Sequence, residues 1–221
     1  MQVTHFGHSC VLLDTGTARL LIDPGNFSPG FEDVTGLDAV LVTHQHPDHL
    51  DPDRLPALLR GNPDARLIVD SGTAGQLGSA EFTAEFTAEL TVDHETVEPG
   101  ATLEIAGARV EVLGGQHAII HPDIPRIVNN GYLVDGTHFH PGDALDTVPS
   151  GELEVLFLPT AAPWQKLADA VTYLREVAPR TAVPIHQGIL AVPGMYYGHF
   201  ERLGPEKTTL KVLDPATPTT V

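Results

Sequence analysis

The stretch Ala39-Val40-Leu41-Val42-Thr43-His44-Gln45-His46-Pro47-Asp48-His49 decides how this chain is read. Its first four residues form an apolar, branched run of the kind that makes a buried strand. The next seven place three imidazoles and a carboxylate where that strand leaves its sheet, and rigid backbone there favours a site. His44 and His46 stand two apart, so extended backbone points both side chains the same way. Neutral imidazoles side by side suit a borderline-soft divalent ion. Pro47 fixes its own φ and biases the chain before it toward extended backbone. The chain turns there, so Asp48 and His49 face a second direction and are candidates for a second ion. A single loop histidine would read as a solvated side chain; four candidate ligands in one short run at a strand end do not.

The pattern His-x-His-x-Asp-His resembles that of the metallo-β-lactamase superfamily, and the resemblance extends over nearly the whole chain. Within the superfamily, the chain is most similar to small metal-dependent hydrolases related to ascorbate-phosphate lactonase. The resemblance implies a four-layer αββα sandwich, an α/β fold of two mixed sheets with helices on the outer faces, over residues 1–221 as one domain.

Composition is compatible with that reading. The chain has 221 residues, 42% of them hydrophobic, enough for one sizeable core. Its formal charge of −17, with only three lysines and nine arginines, argues against a nucleic-acid partner. No apolar run approaches the roughly 18 residues of a membrane helix. Met1-Gln2-Val3-Thr4-His5 lacks the pattern of a signal peptide, and one cysteine, Cys10, suits a reducing cytoplasm. Cys10 reads as a small core residue. A homo-oligomer is compatible with the sequence.

Along the chain, strands are expected at Val3–Phe6, Cys10–Leu13 and Leu20–Ile22, with Asp14-Thr15-Gly16-Thr17 as a hairpin turn. Asp51 reads as the N-cap of a helix with proline in its first turn. Further strands are expected at Leu67–Val69, Thr102–Ile105, Val110–Leu113, Tyr132–Val134, His138–Phe139, Glu154–Leu158 and Thr181–Ile185. A helix is expected over Pro163–Val177, with Leu167, Ala170, Val171 and Leu174 on one stripe. Helix-like, ambiguous sequence follows Val69. In residues 81–92 a tandem Glu-Phe-Thr-Ala unit fits strand alternation and a helical face equally well.

Three further segments end strands beside glycine: Gly114-Gly115-Gln116-His117, His140-Pro141-Gly142-Asp143 and Pro184-Ile185-His186-Gln187-Gly188. The resemblance implies that His44, His46 and His117 hold one metal, and that Asp48, His49 and His186 hold the other. Asp143 would bridge them, and Asp23 would support a ligand imidazole. The cofactors expected are two divalent ions, zinc foremost and manganese its rival. The activity expected is hydrolysis by a water activated between the two ions, with Asp143 or Asp48 taking up the proton. His8 and His121 are candidates for electrophile or general acid, and equally for hydrogen-bonded structural residues. His140 has the same ambiguity, and His5, His94, His138 and His199 read as structural or solvated. Trp164 is a candidate pocket wall or a helix-start staple.

A small-molecule ester or lactone is the leading substrate class. Phosphoester hydrolysis is the alternative, with Arg126, the one basic residue between His117 and Asp143, as anchor, and Lys166 a weaker candidate. β-Lactam hydrolysis ranks third. An iron-dependent oxidoreductase also fits imidazole and carboxylate donors, although diiron flavoproteins carry Glu where this chain has His46. A non-catalytic scaffold is the remaining alternative.

Overall fold

The computed structural model describes residues 1–79 and 93–221. Two seven-stranded sheets make up its centre. The first contains β1 (Gln2–Gly7), β2 (Cys10–Asp14), β3 (Arg19–Ile22), β4 (Ala39–Leu41), β5 (Arg66–Val69), β6 (Glu95–Thr96) and, at its far edge, β14 (Thr219–Thr220). Their order is β14-β1-β2-β3-β4-β5-β6. The second contains β7 (Thr102–Ile105), β8 (Ala108–Gln116), β9 (Val128–Val134), β10 (His138–His140), β11 (Val155–Pro159), β12 (Thr181–Ile185) and β13 (Thr209–Leu210). Its order runs β13-β12-β11-β10-β9-β8-β7. Both sheets are mixed: in each, an antiparallel meander passes into parallel strands, from β3 onward in the first and from β10 onward in the second.

Three apolar clusters divide the molecule into four layers. The largest joins the inner faces of both sheets, with Val11, Leu20, Leu41 and Ile68 from the first meeting Val110, Tyr132, Phe157 and Val183 from the second. A second packs the first sheet's outer face on α1 (Leu55–Gly61) and α2 (Ser71–Leu77), through Leu55, Leu58 and Leu77. The third packs the second sheet on α3 (Leu167–Val177) and α4 (Gly194–Leu203), through Ala170, Val171, Leu174 and Phe200. The αββα expectation therefore holds. β4 is buried at every position, as a parallel strand covered on both faces requires.

Element boundaries differ where tertiary contacts outweigh local signals. Asp51 caps a turn instead of the helix: its carboxylate accepts from the amides of Asp53 and Arg54, and α1 starts only at Leu55. The helix expected from Pro163 starts at Leu167, where the Asp169 carboxylate accepts from the Lys166 amide. β8 runs to Gln116 and β9 begins at Val128, so that pair is longer than the apolar residues indicate. The ambiguous sequence after Val69 contains α2, whose first turn is capped by Asp70 through the amides of Gly72 and Thr73. The tandem unit of residues 81–92 lies outside the described residues. Cys10 is fully buried in the core, and burial pushes its thiol pKa well up. Among the described residues no helix is long and apolar enough to cross a membrane.

Candidate metal centre

The site forms where both sheets end along one edge. Tyr132 Oη donates to the Val42 carbonyl at 2.8 Å, and the Asn130 amide donates to the Thr43 carbonyl at 2.8 Å. These bonds join β9 of one sheet to the end of β4 of the other. His44 to His49 leave β4, His117 follows β8, Asp143 follows β10 and His186 follows β12.

Two groups of donor atoms result, each gathered within 4.8 Å: His44, His46, His117 and Asp143 in one, and His8, Asp48, His49 and His186 in the other. The imidazoles of the first group form a nearly equilateral triangle, with ring centroids 4.8, 4.8 and 4.9 Å apart. Asp143 faces both groups. Its Oδ2 lies 3.4 Å from His117 Nε2 and 3.2 Å from His186 Nε2, and its Oδ1 lies 3.2 Å from His49 Nε2.

Hydrogen-bond partners assign the tautomers. His117 Nδ1 donates to the Ala118 carbonyl at 2.6 Å, and His186 Nδ1 donates to the Ala161 carbonyl at 2.7 Å. His49 Nδ1 donates to Asp23 Oδ2 at 2.6 Å. Thr43 Oγ1 gives its hydrogen to Asp23 Oδ2 at 2.8 Å and accepts from His44 Nδ1 at 3.0 Å. With Nδ1 the donor in all four rings, each Nε2 points into the site, where the neutral ring presents a lone pair. His117 Nε2, His186 Nε2 and Asp143 Oδ1 are buried and have no hydrogen-bond partner. Buried acceptors aimed at one another are costly unless a cation sits among them. The donor set of imidazoles and carboxylates therefore fits a pair of divalent ions.

Asp23, fully buried, orients both His49 and Thr43 through its carboxylate. Three residues at the site hold positive φ without being glycine: His8 (44°), Asp23 (52°) and His186 (58°). Side chains in that region are costly, and such outliers collect at functional sites.

His8 comes to the site but differs from the other rings. The Gly188 amide donates to its Nδ1 at 3.1 Å, so the proton resides on Nε2, which donates to Asp48 Oδ2 at 3.0 Å. His8 is thus a hydrogen-bond donor beside the second group. His140 has both nitrogens engaged, with Nε2 donating to the Ser9 carbonyl and Nδ1 accepting from the Gly142 amide, so it supports the loop structurally. His5 is structural too, donating to the His8 carbonyl at 3.0 Å. His121 is not brought to the cluster: it is exposed, and its Nδ1 accepts from the Asp123 amide. Trp164 walls the first group, its ring 5.7 Å from His117, with Nε1 donating to Asp143 Oδ2 at 3.3 Å. Arg126 lies beside the site, with Nε donating to the His117 carbonyl at 2.8 Å.

The field at the site favours positive charge. Burial opposes ionisation of Asp143, yet the imidazoles of His186 and His49 hold its pKa well below the carboxylate range. Burial likewise opposes charge on Asp48, and hydrogen bonds from His186 and His8 outweigh it in the same direction. Burial pulls His186 down, but Asp143 and Asp48 raise its pKa to about 9, and His49 is held well above its ordinary value by Asp143 and Asp23. His44 is pushed well down by burial and neighbouring imidazoles. His8 is lowered to about 4, chiefly by burial.

Sequence reasoning gave no role to three supporting residues. Ser9 Oγ donates to His49 Nε2 at 3.3 Å, Thr43 links His44 to Asp23, and Asn129 Oδ1 accepts from the Asp143 amide at 2.9 Å. Thr43 stood inside the quoted motif, but its role depends on Asp23, which is distant in sequence.

The model of a β-lactamase superfamily domain matches residues 2–186. Protein Rv0786c of Mycobacterium tuberculosis is 51% identical over 92% of each chain. A protein of Methanopyrus kandleri named UPF0173 metal-dependent hydrolase is 27% identical over 85% of this chain and 84% of its own. The solved structure of Igni18, a metallo hydrolase of Ignicoccus hospitalis, superposes with a TM-score of 0.71 at 20% identity, covering 99% of this chain and 97% of that one. With the sandwich, the histidine run and these likenesses together, the chain belongs to the metallo-β-lactamase superfamily.

Proposed function

We propose that the protein is a metal-dependent hydrolase of a small ester or lactone, acting with two divalent ions. The observation that carries this reading is the convergence of unpartnered His117 Nε2, His186 Nε2 and Asp143 Oδ1 between two four-residue groups. The names of the archaeal relatives, metal-dependent hydrolase and metallo hydrolase, support the reaction type. His44, His46 and His117 would hold one ion, Asp48, His49 and His186 the other, and Asp143 both. Zinc suits the imidazole-rich set, and manganese is the rival because of the carboxylates. Divalent ions held there would lower the pKa of a bound water toward about 7 and polarise the substrate's oxygen.

The chain's own residues supply position and proton handling. Asp48 keeps 22% of its side chain exposed, against 4% for Asp143, so Asp48 is the carboxylate that reaches substrate and accepts the proton. His8 Nε2–H is held against Asp48 Oδ2 and stands ready to donate to an oxygen developing charge nearby. Trp164 and the loop after His117 flank the first group. The second reading, phosphoester hydrolysis, draws on Arg126, which lies beside His117 and not in a remote ion pair.

The test is metal analysis and turnover of an ester, lactone and phosphoester panel after reconstitution with zinc or manganese. About two equivalents per chain are expected. Alanine at His46 or Asp143 should remove the second equivalent and turnover together, and activity retained in either variant would defeat the proposal.

A further inference from the structure

Beside the first metal group, the loop after β8 encloses a small cavity of about 70 Å³. Its floor is His46 and His117, and its walls are Ile120, Ile124, Pro125 and Ile127, with Arg126 among them. The loop is a closed unit with a fixed base. The His117 amide donates to the Ile127 carbonyl at 3.0 Å, and the Ala118 amide to the Asp143 carbonyl at 2.9 Å. Loops with pinched ends and their own packing present side chains in fixed positions. A water occupies roughly 30 Å³, so the cavity has room for a group of about two or three carbons.

Two observations define the chemistry of its occupant. Ile119, Ile120 and Ile124 are exposed at 58, 36 and 48%, which for adjacent large aliphatic side chains marks a surface meant to be covered. Arg126 is the second. Arg19, Arg54, Arg66, Arg109 and Arg180 form ion pairs, whereas Arg175 and Arg202 bond only the Leu203 carbonyl and His199, away from the site. Arg126 spends only Nε, on the His117 carbonyl, and among the described residues no carboxylate lies within ion-pair distance of it. Its two terminal nitrogens retain a planar fork of donors that matches a carboxylate.

We infer that this cavity is the subsite for the non-reacting part of the substrate, a short aliphatic chain ending in a carboxylate that pairs with Arg126. The inference rests on the hydrolase reading and narrows it to esters or lactones that carry a second, anionic end. Apolar walls take the methylenes, the guanidinium takes the charge, and the reacting carbonyl is left over His46 and His117. Net negative charge elsewhere on the protein would repel such a molecule from other surfaces, so an arginine without a carboxylate partner beside the site also selects where it lands.

Trp164 is the sole tryptophan and touches Asp143, so its fluorescence reports occupancy without turnover. The metal-loaded protein is titrated with succinate, glutarate and adipate and, separately, with butyrate, valerate and hexanoate. The best diacid is expected to bind at least about tenfold tighter than the monoacid of equal carbon count, a gap in keeping with a charge-assisted pair. Arg126→Gln should erase that preference with metal content unchanged, and Ile120→Phe, which fills the cavity, should weaken both series. Equal binding of the two series, a preference that survives Arg126→Gln, or no carboxylate binding at all would overturn the inference. Failure of the hydrolase reading looks different: wild type and variant would both lack bound metal, or both would fail to turn over any ester.

Discussion

Replacing Asp23 with asparagine tests the tautomer argument with one atom changed. In the native chain, Asp23 Oδ1 accepts from the Thr43 amide at 2.7 Å, while Oδ2 accepts from Thr43 Oγ1 at 2.8 Å and His49 Nδ1 at 2.6 Å. Asparagine can keep the first bond, but it then presents an NH2 group to two donors. Relief requires His49 to move its proton to Nε2, the nitrogen that faces Asp143, which removes a lone pair from the second metal group. Loss of such an orienting carboxylate costs about 10- to 100-fold in metal affinity, or about 1.4–2.8 kcal/mol. Thr43 Oγ1 must turn as well, so His44 loses its orienting acceptor and the first group is weakened to a lesser degree. Competition with a chromophoric chelator measures both dissociation constants, and the weaker step should shift by that factor while the tighter one moves less. If Asp23→Asn binds both ions as tightly as wild type, His49 does not depend on Asp23 for its proton position and the reasoning is wrong.

Stability of the chelator-stripped protein should depend on pH through the same residues. His186, raised from 6.5 to about 9, contributes stability that is complete below pH 6.5 and is lost as pH rises through about 9; His49 acts in the same direction. Asp48 and Asp143, both depressed, contribute stability present above about pH 4 and lost below it, and His8 and His44, both lowered, contribute stability present above about pH 6.5 and lost below it, so thermal melts should peak near neutral pH; a Tm still rising between pH 7 and 9 would contradict this. For His8→Asn, metal content should remain near two equivalents because His8 Nε2 carries a proton, while turnover falls by about 100-fold; loss of an equivalent in elemental analysis would make His8 a ligand instead. Gly25→Ala places a Cβ 1.8 Å from the Asp48 carbonyl oxygen, so urea unfolding should show a loss of about 1–3 kcal/mol and weaker metal binding, and an unchanged midpoint would refute the close packing of that loop.

How much was legible in the sequence follows from where each signal resides. β4 and the histidine run were readable because burial of β4 on both faces demands a continuous apolar stretch, and the chemistry begins at its end. The start of β9 was hidden because Asn129 and Asn130 are buried polar residues. Their side-chain NH2 groups donate to the Pro141 and Val97 carbonyls, partners that no local pattern reveals. β6, β13 and β14 are two residues each and exist through pairing with longer neighbours. α4 contains glycines at 194 and 198 and fully buries only Phe200, so its amphipathic signal is faint. At the site, His8 was a candidate general acid in the sequence, but its proton-donor character depends on the Gly188 amide, 180 residues away. His121, four residues past His117, is exposed and away from the cluster, its Nδ1 accepting from the Asp123 amide.

The donors are divided between two layers: His44, His46, Asp48 and His49 belong to the first sheet's edge, and His117, Asp143 and His186 to the second's. Neither plate alone carries a complete coordination sphere, so a captured pair of ions would act as rivets through both. During synthesis such a centre would be complete only after His186, the last of its candidate donors along the chain, has been added. A nascent chain still short of that histidine offers only a partial claw, and tight capture of metal becomes a signature of the finished, docked sandwich.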